Sequence, residues 1–288
     1  MTRIVSLLPS TTEILFALGA GDDVVGVTFE CDYPVEARAA TIVSTSALPT
    51  GLTPAEIDAH VAAALARGED LYHLDRDALA GLDADLVITQ DLCAVCAVDV
   101  SVVDDALTYL GCTAEVVTID PHTVEEVLAS IDRLGEVTGH CEAAGLLVGS
   151  LRARLARVAD RVAGHGGRPP RVVVLEWTDP PYAPGHWVPE MIMMAGGESV
   201  LGTAALPSRR TTWEAVAAAD PELIVVAPCG YDLAGSQRLA EELVDSGVLP
   251  AGVPVHAVDA NASWARPGPR LVDGIEELEQ VLATVTRR

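Results

Sequence analysis

Lysine is absent from this chain. All 18 basic residues are arginine, set against 42 acidic ones, for a net charge of −24 over 288 residues. So acidic a surface repels phosphate backbones and anionic headgroups, which argues against nucleic acid and membrane surfaces as partners. Aromatic residues are scarce, with 2 Phe and 4 Trp, so the position of each Trp carries information. No apolar run approaches the roughly 20 residues of a membrane-spanning helix. The opening Met1-Thr2-Arg3-Ile4-Val5-Ser6-Leu7-Leu8-Pro9-Ser10 lacks the apolar stretch and small-residue cleavage site of an export signal. The expected location is therefore cytoplasmic. Six cysteines in a chain of this length, without export, argue against a disulfide framework. Metal binding, redox chemistry and plain burial remain for them.

What is present is an alternation of short β-rich runs with helical patterns. Arg3–Leu8 reads as a strand, followed by a helix to about Leu18 with Ser10 and Glu13 at capping-box spacing. Gly19 and Gly21 stop that helix; because they end a helix and do not join a strand to one, they form no phosphate loop. Val24–Thr28, Asp85–Gln90 and Ala114–Ile119 read as further strands, and residues 53–66 as an Ala-rich helix capped by Thr53-Pro54. Such alternation implies βα units and parallel sheet. From Thr123 the period changes. Val124, Val127, Leu128, Ile131 and Leu134, then Leu147, Leu151, Leu155, Val158 and Val162, recur at helical spacing, as one long helix or two nearly collinear pieces. Gly164-His165-Gly166-Gly167 ends it.

Beyond that break the first third repeats. Arg171–Trp177 matches Arg3–Leu8, and residues 195–202 echo 19–26. Residues 217–226 echo 79–88, and Val253–Val258 matches Ala114–Ile119. The expected architecture is α/β: two Rossmann-like lobes with parallel sheets joined by a long bridging helix. The N-terminal lobe spans 1–121, the bridging helix 122–165 and the C-terminal lobe 166–288.

Ligands of open parallel sheets bind beyond the carboxyl ends of the strands. That rule singles out Glu30 and Cys31 after Val24–Thr28. It adds the Cys-x-x-Cys pair Cys93 and Cys96 after Asp85–Gln90, and Cys229 after Leu223–Ala227. Glu176 and Trp177 end their strand, with His186 and Trp187 in the next loop. Trp264 and Arg266 follow Val253–Val258. Three of the 4 Trp thus lie at predicted strand ends, where flat ligands favour aromatic walls. Cys31, Cys93, Cys96 and Cys229 could converge on a zinc ion or an iron–sulfur cluster, or line a soft pocket. His186 is a candidate axial ligand to a bound metal complex. Cys112 and Cys141 fall away from strand ends and read as ordinary buried or half-buried thiols. The cluster Met191, Met193 and Met194 reads as core.

The run Ile4-Val5-Ser6-Leu7-Leu8-Pro9-Ser10-Thr11-Thr12-Glu13-Ile14-Leu15-Phe16-Ala17-Leu18-Gly19 resembles the opening of the cobalamin- and siderophore-binding proteins of ABC importers. Val25-Gly26-Val27, Asp32-Tyr33-Pro34 and Arg266-Pro267-Gly268-Pro269-Arg270-Leu271 extend the likeness along the chain, most of all to the vitamin B12-binding branch. The resemblance implies a flat ligand clamped in a cleft between two lobes, small hinge motion, and a corrin held by Trp177, Trp187, Trp264 and Arg266. It implies a non-catalytic binder of cobalamin or a related corrinoid, with an ABC transporter or a cobalamin-handling protein as partner. The four strand-end cysteines are not part of that family pattern. They support an alternative, a metal or iron–sulfur protein, an enzyme included, on the same scaffold.

Overall fold

A computed structural model describes residues 2–90 and 114–285. Cys93, Cys96 and Cys112 lie outside the described residues. The chain divides into two compact units: Met1–Pro121 with Leu128–Val148, and His122–Val127 with Gly149–Arg288.

In the first unit, β1 (Ile4–Ser6), β2 (Val24–Thr28), β3 (Thr41–Ser46), β4 (Tyr72–Leu74), β5 (Leu86–Thr89) and β6 (Glu115–Thr118) form one sheet. Its order is β4-β3-β2-β1-β5-β6, parallel throughout except for β3 with β4. Alternate residues serve opposite faces, as a pleated strand requires. Val5, Leu7 and Val87 enter a core with Val43, Leu71, Leu79 and Leu82, while Ile4, Leu86 and Ile88 are buried on the other side. Fully burying each such side chain contributes roughly 1.5–3 kcal/mol. Strands β3 and β4 carry no strong signal in the sequence. The helix Pro54–Arg67 has the predicted cap, with Glu56 N–H donating to the Thr53 hydroxyl and Thr53 N–H donating to the Glu56 carboxylate. The predicted Ser10–Glu13 box does not form. Pro9 pre-sets the first turn, the helix begins there with Leu8 as its N-cap, and Ser10 is buried inside the helix.

In the second unit, β7 (Arg171–Leu175), β10 (Glu198–Ser199), β12 (Leu223–Val226) and β13 (Val255–Ala257) form an all-parallel sheet in the order β10-β7-β12-β13. This is the order β2-β1-β5-β6 of the first unit, strand for strand with the internal repeat. Val172, Val174, Leu223 and Val225 pack into one core. Val173, Leu175, Ile224 and Val226 pack into another on the opposite face. Both faces are therefore covered, which is why these strands are continuously apolar. The sequence also predicts one strand from Arg171 to Trp177. The structure breaks it at Glu176. Trp177–Thr178 is β8, which pairs with β9 (Pro181–Ala183) and through it β11 (Arg209–Arg210) in a small antiparallel sheet.

The helical stretch is two helices, Val124–Thr138 and Cys141–His165. Gly139 takes the left-handed conformation at φ +76°, which lets the first end without a Cβ clash. Val124 and Val127 belong to the core of the second unit, whereas Leu128, Ile131 and Leu134 are buried residues of the first. Of the predicted core methionines Met191 is fully buried, but Met193 is 55% exposed. Cys141 is exposed, not half-buried, because it opens its helix.

Two helix glycines separate packing from propensity. A Cβ on Gly135 would sit 2.5 Å from the Ala144 Cβ and 3.3 Å from the His140 carbonyl, whereas one on Gly149 meets nothing within 4 Å. Gly135→Ala is expected to destabilise the protein by about 1–3 kcal/mol through overpacking. Gly149→Ala should stabilise it by up to about 1 kcal/mol. Urea unfolding of the two variants beside the parent checks the opposite signs.

Candidate functional site

The carboxyl end of the second unit's parallel sheet gathers most of the polar and aromatic candidates. Three strand exits are tied together there by the backbone. Cys229 N–H, past the end of β12, donates to the Glu176 carbonyl at 3.1 Å, and Asn261 N–H, past β13, donates to the Tyr231 carbonyl at 3.0 Å. The Trp177 and Tyr231 rings meet edge to face, with centroids 5.8 Å apart at 62°, the favoured geometry for aromatic quadrupoles. Trp177 Nε1 donates to the Asp179 carbonyl, which fixes the indole. Trp177 and Tyr231 are half-buried and Cys229 is exposed, so both ring surfaces remain partly accessible. Burial pushes the Tyr231 phenol's pKa up, which keeps it neutral. From the neighbouring sheet, Arg210 Nε donates to the Tyr182 hydroxyl at 3.3 Å.

Glu176 holds the next loop in place. Its carboxylate accepts hydrogen bonds from Gly185 N–H at 3.1 Å and from the Ser208 hydroxyl. The two segments it joins also bond each other, His186 N–H to the Leu206 carbonyl at 2.7 Å and Ala205 N–H to the His186 carbonyl at 3.0 Å. A Cβ on Gly185 would lie 2.2 Å from Ser208 N, so only glycine permits this approach. Desolvation outweighs both hydrogen bonds, and the Glu176 carboxyl is pushed up to about 7. His186 stands beyond it with a left-handed backbone, φ +47°. Its ring lies 5.6 Å from the His122 ring and 5.6 Å from that of Trp187. Burial, and then the neighbouring His122, lower its pKa, so the imidazole is neutral near neutral pH.

The other sequence candidates divide. Trp187 and Trp264 are core residues, 6% and 1% exposed, packed with Met191, Leu271 and Ile275. Trp187 Nε1 donates to the Trp264 carbonyl at 2.7 Å. Neither ring offers an open face in this structure, because the short helix Ala260–Ser263 and the helix Leu271–Val285 close over them. Arg266 is half-buried at the start of the Arg-Pro-Gly-Pro-Arg turn. In the first unit, Glu30 accepts from the Tyr72 hydroxyl at 3.2 Å. Cys31 is buried, 3% exposed, with Sγ 3.1 Å from the Thr12 hydroxyl. Thr12 in turn bonds Ser6, which meets Thr11 at 2.7 Å. The four-cysteine set is thus described only at Cys31 and Cys229, one thiol in each unit. Among the described residues no group of three or more His, Cys, Asp and Glu side chains is placed to hold a metal ion.

Several rim residues carry no decisive sequence signal: His122, Tyr182, Ser208, Arg210 and Tyr231. Tyr231 alone was reachable, two residues past the singled-out Cys229. On the first unit Phe29 and Tyr33, 39% and 49% exposed, add aromatic surface just past β2.

A sequence profile of the family described as periplasmic binding protein matches residues 4–251. The chain belongs to that family. Among curated relatives, the vitamin B12-binding protein of Yersinia pestis is 25% identical over an alignment of 293 positions. That alignment covers 98% of this chain and 87% of the relative. Two of the solved structures that match share the fold of this chain over nearly its whole length. The periplasmic heme-binding protein RhuT from Roseiflexus sp. RS-1 is 22% identical with a TM-score of 0.72, covering 99% of each chain. The periplasmic vitamin B12-binding protein BtuF of Vibrio cholerae is 20% identical with a TM-score of 0.68, covering 99% of this chain and 98% of that one. No helix among the described residues is long and apolar enough to cross a membrane.

Glu176 sets a pH dependence whose sign follows from its surroundings. The folded protein keeps the proton up to about pH 7, whereas the unfolded chain releases it near 4.5. Below the lower value the group is protonated in both states and its burial carries no charge penalty. Between the two values the folded state binds more protons, so stability falls as pH rises; above 7 the dependence ends. At about 1.4 kcal/mol per pH unit the total loss is on the order of 3 kcal/mol at most. Glu176→Gln should flatten that part of the profile between about pH 5 and 7. Urea unfolding of both proteins across the window checks it.

Proposed function

We propose that this periplasmic binding protein family member binds a metal tetrapyrrole without transforming it, and that a corrinoid of the cobalamin type is the first candidate. The observation that carries the reading is the Trp177–Tyr231 pair, edge to face and half-buried at the carboxyl rim of the second sheet. A flat, largely apolar macrocycle gains most from aromatic surface that is already held in place. Arg266, half-buried on the same side of the chain's topology past β13, supplies positive charge for peripheral carboxyl, amide or phosphate groups. The full-length likeness to a vitamin B12-binding protein supports the corrinoid choice. An ABC importer or a cobalamin-handling protein is the expected partner.

Heme is the second reading. His186 favours it, because imidazole is a known axial ligand of heme iron, and burial holds His186 neutral and able to coordinate.

Titrating the purified protein separately with hydroxocobalamin and with hemin, followed by visible spectra and calorimetry, tests both. Saturable binding of one of them at micromolar concentration is the expected result. Trp177→Ala should weaken that binding about tenfold, the equivalent of about 1.4 kcal/mol of stacking. No binding of either compound at tens of micromolar would remove the proposal.

A further inference from the structure

His122 and His186 come from places 64 positions apart in sequence, yet their rings lie 5.6 Å apart, tilted by 44°. Both belong to the second compact unit. Each is held by its backbone. His122 N–H donates to the Glu126 carboxylate at 2.6 Å, and two residues on, Val124 N–H donates to Glu190 at 2.8 Å. His186 is fixed on both sides by Leu206 and Ala205, in a left-handed conformation that non-glycine residues seldom adopt. The ring nitrogen Nδ1 of His122 is buried and has no hydrogen-bond partner. Buried polar atoms are nearly always satisfied, so an orphan of this kind calls for a partner.

We propose that His122 and His186 form a two-imidazole site for a divalent transition-metal ion, with the remaining coordination positions open to water or an exchangeable ligand. Neutral imidazole suits zinc, nickel and copper. With metal–nitrogen bonds of about 2.1 Å, a ring centroid stands about 3.2 Å from a bound ion, so two rings 5.6 Å apart are close enough to share one. An ion between the rings gives the orphan Nδ1 its partner. No third His, Cys, Asp or Glu completes the group among the described residues, which leaves it an open site and not a structural, four-ligand one. The inference needs the ion alone and does not rest on the corrinoid reading; it competes with the heme reading for His186.

The test is imidazole NMR of the tag-free, full-length protein during zinc addition, without corrinoid or heme. Thiol-bound zinc leaves imidazole signals largely unmoved, so the cysteines do not confuse the reading. Two of the seven histidines should shift together and saturate with one equivalent. His122→Ala should abolish the shift of His186, and His186→Ala that of His122, with metal stoichiometry lowered by one in each. His256→Ala should change neither. A spectrum in which zinc moves neither ring, or moves other histidines instead, would overturn the site. So would unchanged zinc stoichiometry in both variants. The wild-type spectrum decides the matter even if a variant fails to fold.

Discussion

The exit of β7 constrains the whole functional rim. At Glu176 one residue leaves a buried parallel sheet, starts a small antiparallel one, and binds two loops with its side chain. Its carbonyl takes the β12 exit through Cys229, and its carboxyl takes Gly185 and Ser208. Trp177, the next residue, is aimed by that change of direction onto Tyr231. The apolar layers beneath, Val172 and Val174 on one face and Val173 and Leu175 on the other, give the turn a rigid base. Aromatic surface, a neutral imidazole and an exposed thiol then stand on fixed backbone, which lowers the ordering cost of binding.

Retaining a carboxyl in so desolvated a place has a cost, and its compensation is geometric. Hydrophobic replacement would leave Gly185 N–H and the Ser208 hydroxyl without their acceptor. The loop carrying His186 would then lose a hydrogen-bonded tie to the end of the main sheet. The bonds to Gly185 and Ser208 give Glu176 a positioning role at the rim. The wider acidic surface has a different role: it sets solubility and excludes polyanionic partners.

Much of the fold was legible because periodicity survives tertiary packing. The continuous, largely β-branched runs Val172–Leu175 and Leu223–Val226 read as buried strands, and the repeated βα units anticipated two similar α/β lobes, which the structure builds with one shared strand order. Thr53-Pro54 and Glu56 announced their helix cap. Other features depend on partners remote in sequence. The break at Glu176 is decided by Pro181–Ala183 and Arg209–Arg210, which pair with or near it. The same holds for the site. Strand-end position found Glu176, Trp177, His186 and Cys229, but it could not tell a rim aromatic from a core one. Trp187 and Trp264 follow strands too, but the helices Ala260–Ser263 and Leu271–Val285, distant from Trp187 and flanking Trp264 in sequence, bury them. His122 precedes a helix and gives no local signal; only the fold brings it to His186.

The central claim is that ligand binding occurs on this rim of the second unit. Hydrogen–deuterium exchange with and without saturating cobalamin, read by peptide, tests it most directly. Protection concentrated in residues 176–187 and 229–232 is the predicted result. A bound protein whose protection leaves both segments unchanged would contradict the account.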